Sequence, residues 1–127
     1  MLGYTNDNYS KDKIRAVDAK YEAQKIAFAP ITFQAVRALL ELGLLKAISD
    51  SGEKGLTLNE AAGAAGISIY GAEVLLEIAL SMNIVKLLPS GEEARFVLGK
   101  IGFFLLEDEM TRVNLNFVND VCYKGAF

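Results

Sequence analysis

The most informative absence in this chain is histidine, which occurs nowhere among its 127 residues. Histidine is the commonest general base and metal ligand, so its absence excludes Ser–His and Cys–His nucleophilic systems. Cysteine occurs once, at Cys122, which excludes an internal disulfide and a Cys/His zinc site and fits a reducing compartment. An enzyme confined to these residues would have to use carboxylates, lysine or tyrosine.

Long apolar runs are also missing. The first ten residues, MLGYTNDNYS, contain no apolar segment of the kind that marks a signal peptide. No stretch of about 18 consecutive apolar residues occurs, so the sequence predicts no membrane-spanning helix. Together with the single cysteine, these absences predict a cytoplasmic protein.

Aliphatic side chains are what the chain has in excess. Hydrophobic residues make up 52% of its length, although tryptophan is absent. A length of 127 residues suits one domain with its own core. The apolar surplus either fills that core or covers a surface that an oligomer or a neighbouring domain buries. Composition alone leaves both interpretations open.

A helix–turn–helix is the strongest pattern in the chain. Thr57 and Glu60 match a capping box at the start of a short helix, and Gly66 is expected to end that helix. Ser68 is expected to cap the next helix. The predicted apolar face of this second helix consists of Ile69, Ala72, Leu75, Leu76, Ala79 and Leu80.

Two strand candidates follow this pair of helices. Residues 84–88 and 94–98 are rich in apolar and β-branched side chains, and Pro89, Ser90 and Gly91 between them are typical turn residues. The pair predicts a hairpin with an acidic tip at Glu92 and Glu93. The whole order predicts a mainly α, winged-helix-like domain with a small two-stranded β-wing.

The charge of this segment argues against binding to nucleic acid. Between residues 57 and 98, five glutamates stand against one lysine and one arginine, so the segment carries the entire net charge of −3. The helix in the recognition position has only Glu73 and Glu77 as charged residues. A surface that contacts phosphates needs Lys or Arg. The pattern predicts protein contacts, with a DNA-binding regulator as the alternative that a low-salt mobility shift would test.

Flanking helices are predicted on both sides of this unit. Ser10 is expected to cap a helix that runs to about Ala29 and that Pro30 ends, and a last helix is expected over residues 110–127. Narrow apolar stripes on such helices suit packing against a second chain. The predicted division is an N-terminal tail and dimerisation helix (1–30), a winged-helix-like core (31–98), and a linker with a C-terminal helix (99–127).

Neither glycine nor acidic clusters predict a cofactor or metal site. The segment 52–55 (GEKG) lacks the Gly-Lys-Ser/Thr ending of a phosphate loop and does not follow a strand. The acidic run 107–109 has no further spaced oxygen ligands, so it is interpreted as a linker in which Glu109 favours the positive start of the next helix.

Three segments resemble a known protein family. They read ALLELGLLKAI at 38–48, GLTLNEAA at 55–62 and VLLEIALSMNIV at 74–85. This order is similar to that of the N-terminal dimerisation domain of the S-adenosylmethionine-dependent O-methyltransferases, which act on small molecules in plants and bacteria. The resemblance covers roughly residues 28 to 127.

The resemblance implies a helical domain that interlocks two subunits, followed in the whole protein by a Rossmann-like domain that binds S-adenosylmethionine and transfers the methyl group. This sequence contains no glycine-rich loop after a strand and no catalytic base, so no catalytic, cofactor or metal residue is predicted in this fragment. The implied partners are a second copy and the catalytic domain, without membrane or nucleic acid. The candidate residues are Asn116, Phe117 and Tyr123 for a substrate-pocket wall, and Ile14, Val17, Tyr21, Phe28, Val113 and Val121 for the dimer interface.

Overall fold

Eight α-helices and a hairpin of two strands are seen in the computed structural model, which describes residues 7–91 and 93–124. The helices are α1 (Asp7–Ser10), α2 (Ala16–Ala27), α3 (Ala29–Glu41), α4 (Leu44–Asp50), α5 (Leu58–Ala65), α6 (Ile69–Ser81), α7 (Lys100–Glu107) and α8 (Glu109–Val118). The strands are β1 (Val85–Ser90) and β2 (Glu93–Leu98). A 3-10 turn at Gly52–Lys54 precedes α5, and a π-helical turn at Asn119–Tyr123 follows α8. The predicted mainly α, winged-helix-like class is confirmed.

The chain forms two compact units, Met1–Phe33 and Gln34–Phe127. The division predicted from the sequence, with boundaries after residues 30 and 98, stays a prediction. No single described helix is long and apolar enough to cross a bilayer; α5 and α6 meet that criterion only as a pair bent by 110°. Both helices of that pair contribute buried residues to the domain core, so the pair is weak support for a membrane span.

Two helix boundaries predicted for the first unit are wrong. Ser10 does not cap the long helix, because α1 ends there and α2 begins at Ala16 with Arg15 in the capping position. Asp18 in the first turn accepts a hydrogen bond from Arg15 Nε at 2.8 Å. Pro30 does not end a helix but lies in the first turn of α3. A proline is tolerated there because the first backbone N–H groups of a helix have no intrahelical acceptor.

The core of the second unit lies where α3, α4 and α6 meet the hairpin. Its largest fully buried side chains are Leu39, Leu44, Leu45, Ile48, Leu76, Ile84 and Val85. On α6, Ala72, Leu76 and Ala79 are buried as predicted. Ile69, predicted on the same face, is half exposed. It is the first residue of the helix and lies at the edge of the apolar stripe, so it extends past the core.

Helix capping in the helix–turn–helix follows the sequence prediction. The backbone N–H of Glu60 donates to Thr57 Oγ1 at 3.2 Å, and the N–H of Thr57 donates to Glu60 Oε1 at 2.9 Å, which completes the capping box. Ser68 Oγ accepts from the N–H of Gly71 at 2.9 Å. Gly66, at a φ of 69°, ends α5, and the bend of 110° to α6 is within the usual helix–turn–helix range.

The hairpin is longer than predicted. Val85 pairs with Leu98 at one end and Ser90 with Glu93 at the other, so Pro89 lies in the ladder opposite Ala94 and not in the turn. In the described part of the chain β1 has β2 as its one neighbour in the sheet, and on such an edge strand a proline removes no necessary hydrogen bond. The sequence also missed a third element, a bridge in which Leu56 exchanges backbone hydrogen bonds of 3.0 and 2.7 Å with Phe96. Glu92, predicted at the acidic tip, lies outside the described residues.

The C-terminal segment contains two helices. The segment between the predicted wing and the predicted last helix, assigned above to a linker, contains α7 at Lys100–Glu107. Asp108 caps α8 because its Oδ2 accepts from the N–H of Thr111 at 2.9 Å. The helix predicted to extend to residue 127 changes to a π-helical turn after Val118, and residues 125–127 lie outside the described residues.

Two glycines give a matched test of the packing between α7 and the hairpin. A Cβ at Gly102 would lie 2.5 Å from the carbonyl oxygen of Ile84 and 2.6 Å from Leu98 Cδ1, whereas a Cβ at Gly63 in α5 meets nothing within 4 Å. We expect Gly102→Ala to destabilise the domain by about 1–3 kcal/mol through overpacking. Gly63→Ala should stabilise it by about 0.5–1 kcal/mol through helix propensity. Urea unfolding measures both, and equal effects of the two substitutions would contradict this packing.

Candidate functional site

The predicted stripe on the N-terminal helix is exposed to solvent but is only partly helical. Val17 and Tyr21 lie one turn apart on α2, with Val17 65% exposed, and no residue of α2 is buried. Ile14 precedes the helix, and Phe28 is the residue that follows its last turn; both are about half exposed. Lys25 Nζ lies 5.3 Å from the centre of the Tyr21 ring, a distance typical of a cation–π contact.

A second exposed stripe lies on α8 and the turn after it. Val113, Phe117 and Val121 are spaced at intervals of four residues, which places them on one helical face, and Phe117 is 64% exposed. Met110, which the sequence analysis did not select, extends the same face by one turn and is also exposed. We call Met110, Val113, Phe117 and Val121 the α8 stripe.

Helix α7 adds exposed aromatic surface that the sequence analysis missed. Phe103 and Phe104 are both about half exposed, and their rings contact each other edge to face with centroids 5.5 Å apart. Ile101 in the same helix is exposed as well. The sequence did contain a signal for this surface. Five of the six residues from 101 to 106 have large apolar side chains, which is more than one buried face of a helix can accommodate.

The three residues predicted for a substrate-pocket wall are not brought together. Asn116 contributes to a cavity of about 320 Å³ between α3, α7 and α8, which Phe117 and Tyr123 do not line. The remaining lining residues are Arg37, Leu40, Glu41, Leu105, Leu106, Arg112 and Leu115. Arg37 forms an ion pair with Glu41, and Arg112 Nη2 donates to the carbonyl oxygen of Leu106 at 2.9 Å.

The two cations of the helix–turn–helix and wing are both held by neighbouring groups. Arg95 donates to Glu60 Oε1 at 2.7 Å and to the carbonyl oxygens of Lys54 and Gly55 at 3.0 and 3.2 Å. Lys86 Nζ donates to Asn83 Oδ1 at 2.8 Å. Both cations therefore have hydrogen-bonding partners within their own chain.

Metal ligands do not cluster in the part of the chain that the structure describes. No group of three or more Cys, Asp or Glu side chains there is arranged to hold an ion. In the acidic run 107–109, Asp108 Oδ2 accepts hydrogen bonds from the N–H and the hydroxyl of Thr111. The hydroxyl and backbone N–H of Thr111 lower the pKa of Asp108 below its ordinary value of 3.8, as expected for a helix cap.

The capping box makes the stability of the domain depend on pH. The backbone N–H of Thr57, helped by the charge of Arg95, holds the pKa of Glu60 below its ordinary value of 4.5. The unfolded chain therefore binds the proton more tightly, and the stabilisation from Glu60 is present above pH 4.5 and lost as the pH falls through the folded-state pKa. In urea unfolding, Glu60→Gln should be less stable than the parent near neutral pH, and this difference should shrink in acid.

The matched control for this pH dependence is Glu53→Gln. Glu53 is exposed, and no hydrogen bond or ion pair of its side chain is found among the described residues. Its substitution should change stability little at any pH. A gap between the parent and Glu60→Gln that stays constant from neutral pH into acid would contradict the role assigned to the carboxylate.

Comparison with known proteins agrees with this architecture. Residues 20–96, more than half of the chain, match the family model of the Dimerisation2-like domain. Among solved structures, human N-acetylserotonin methyltransferase in complex with SAM is similar, with a TM-score of 0.65 and 21% sequence identity. The match covers 88% of this chain but only 32% of that protein, and no curated protein matches significantly. The chain therefore belongs to the Dimerisation2-like domain family, and its resemblance to the N-terminal dimerisation domain of the S-adenosylmethionine-dependent O-methyltransferases is confirmed.

Proposed function

We propose that this domain joins two copies of a small-molecule, S-adenosylmethionine-dependent methyltransferase into a homodimer and takes no catalytic part itself. The observation that carries the proposal is the α8 stripe, four large apolar side chains on one helical face that are each at least half exposed. Membership of a dimerisation-domain family supports a second copy as the group that covers this stripe. The exposed side chains Val17 and Tyr21 of α2 supply a second apolar surface of the same kind.

Burial of apolar surface is the driving force in this proposal. Each Å² of apolar surface that is removed from water contributes about 25 cal/mol. Stable interfaces bury about 1,600 Å² of accessible surface in total. The α8 stripe, the exposed aromatic residues of α7 and the side chains of α2 provide apolar surface for such an interface. No residue of α2 is buried. Isolated short helices are marginal in water, so contact with a partner would increase the stability of such a helix most.

The finer assignments follow from the same proposal. Ile14, Val17, Tyr21, Phe28, Val113 and Val121 are assigned to the interface between copies. Of the residues proposed for the substrate-pocket wall, Asn116 has the best support because it lines the cavity between α3, α7 and α8. S-adenosylmethionine would bind in the catalytic domain of the whole protein, and the protein would act in the cytoplasm. The alternative, a DNA-binding regulator, is not favoured because the segment from 57 to 98 carries a net charge of −3.

Sedimentation of the isolated domain tests the proposal. We expect a dimer at tens of micromolar, since an interface of about 1,600 Å² commonly gives a dissociation constant below about 1 μM. A dilution series followed by sedimentation velocity gives the dissociation constant. A monomer throughout that range would contradict homodimerisation through these surfaces.

A further inference from the structure

A groove between the helix–turn–helix and the hairpin lies outside the surfaces assigned to dimerisation. Its volume is about 470 Å³. Helices α5 and α6 form one wall, and both strands of the hairpin form the other. Its apolar lining consists of Leu58, Leu80, Leu87, Ala94 and Phe96. Leu87 is 44% exposed, so the lining is accessible to another molecule.

Three carboxylates line the same groove. Glu73 and Glu77 lie one turn apart on α6, about 6 Å along the helix axis, and Glu93 faces the groove from β2. Within residues 7–91 and 93–124, none of the three side chains takes part in an ion pair or hydrogen bond. A groove with an apolar floor therefore carries three negative charges that the domain leaves uncompensated.

The cations nearest in sequence do not neutralise this groove. Arg95 is held by Glu60 and by the carbonyl oxygens before Leu56, and Lys86 is held by Asn83. The complementary ligand is consequently positively charged, and a polyanion such as DNA is repelled. This surface has the position of a recognition surface in a winged helix but the opposite charge.

Apolar surface continues beyond the groove along the outer face of α6. Ile69, Tyr70 and Val74 are exposed on the side of the helix that also presents Glu73 and Glu77, and Tyr70 is 76% exposed. A small amine would leave this surface uncovered, whereas a polypeptide segment could span it. Amphipathic segments that bind grooves place apolar anchors on the floor and charged side chains at the rim.

We propose that the groove binds a basic amphipathic segment of a partner protein. Apolar side chains of that segment lie against Leu58, Leu80 and Phe96, and its Lys or Arg side chains pair with Glu73, Glu77 and Glu93. This binding is additional to dimerisation, because it uses α5, α6 and the hairpin, whereas the proposed dimer interface uses α2, α7 and α8.

The probe for this site is a labelled amphipathic helical peptide, with leucines on one face and lysines on the other. Fluorescence anisotropy with the whole chain should show binding that weakens as salt screens the charges. The double variant Glu73→Lys, Glu77→Lys should bind about tenfold more weakly, since two exposed ion pairs are replaced by repulsion. The matched control, Glu53→Lys with Glu107→Lys, makes the same change of charge at exposed positions outside the groove and should bind like the parent.

Further probes separate this occupant from others, with circular dichroism confirming that each variant is folded. Peptides with Glu in place of Lys, or Ser in place of Leu, should not bind. The proposal is overturned if the leucine–lysine peptide does not bind, if both double variants lose affinity equally, or if spermidine alone displaces the peptide completely. It is also overturned if the parent binds duplex DNA as well as peptide, or if the Glu73→Lys, Glu77→Lys variant loses dimerisation, because a second copy would then occupy the groove.

Discussion

Val17→Asp and Phe117→Asp are each expected to convert the domain from dimer to monomer at tens of micromolar. Either substitution places a carboxylate in an apolar interface, where burial of an unpaired charge costs several kcal/mol. In a two-fold symmetric dimer each substitution occurs twice, so the dissociation constant should rise by about a hundredfold or more. Sedimentation velocity over a dilution series measures the shift. Tyr21→Asp should act in the same direction.

An exposed position on α2 serves as the control for Val17→Asp. Ile26 lies on the side of α2 opposite Val17 and is exposed, so Ile26→Asp should leave the dissociation constant nearly unchanged. If Val17→Asp instead lowers the stability of the fold without changing self-association, its side chain packs within its own subunit and the assigned interface is wrong.

Leu76→Ala is expected to cause one of the largest losses of stability available in this domain, about 2–5 kcal/mol. Leu76 lies on α6 with no exposed surface, in the cluster with Leu39, Ile48 and Val85. Truncation removes apolar contacts and leaves a cavity that the surrounding helices fill only in part. Urea unfolding of the parent and the variant gives the difference in unfolding free energy, provided that both are measured at one protein concentration.

Val74→Ala on the same helix is the control for this core substitution. Val74 is 39% exposed, on the face of α6 that lies outside the core. Its truncation should cost less than about 1 kcal/mol, because part of the lost surface was already in contact with water and no enclosed cavity is left in the core. Comparable losses from Leu76→Ala and Val74→Ala would mean that α6 is rotated relative to the structure described.

Local hydrogen bonding explains why the helix–turn–helix was predictable. The capping box of Thr57 and Glu60, the Ser68 cap and the left-handed Gly66 each depend on residues no more than four positions apart. Asn83, with a φ of 60°, lies just after the end of α6 in the left-handed conformation that also depends on local chemistry. Such signals are present in the sequence whatever surrounds them. The segments that resembled the O-methyltransferase dimerisation domain contain these same signals.

Local signals that were overridden or ambiguous explain the wrong boundaries. Ser10 is the better capping residue, yet α2 begins after Arg15, which makes no side-chain capping hydrogen bond. Pro30 can follow one helix or begin another, so the sequence does not decide that boundary. Pro89 is part of the ladder because the register of the two strands places it opposite Ala94. That register is not set by the residues next to Pro89 in the sequence. The bridge between Leu56 and Phe96 joins residues 40 positions apart, and no local pattern marks it.

The sequence by itself determined the helical class, the caps and the acidic character of the helix–turn–helix, and the absence of histidine chemistry, because these depend on composition and near neighbours. Only the tertiary structure decided which apolar residues are covered. Phe117 and Leu76 are equally suited to a core by composition, yet one is largely exposed and the other fully buried. Burial depends on which elements pack against a face, and that is a property of contacts between distant parts of the chain.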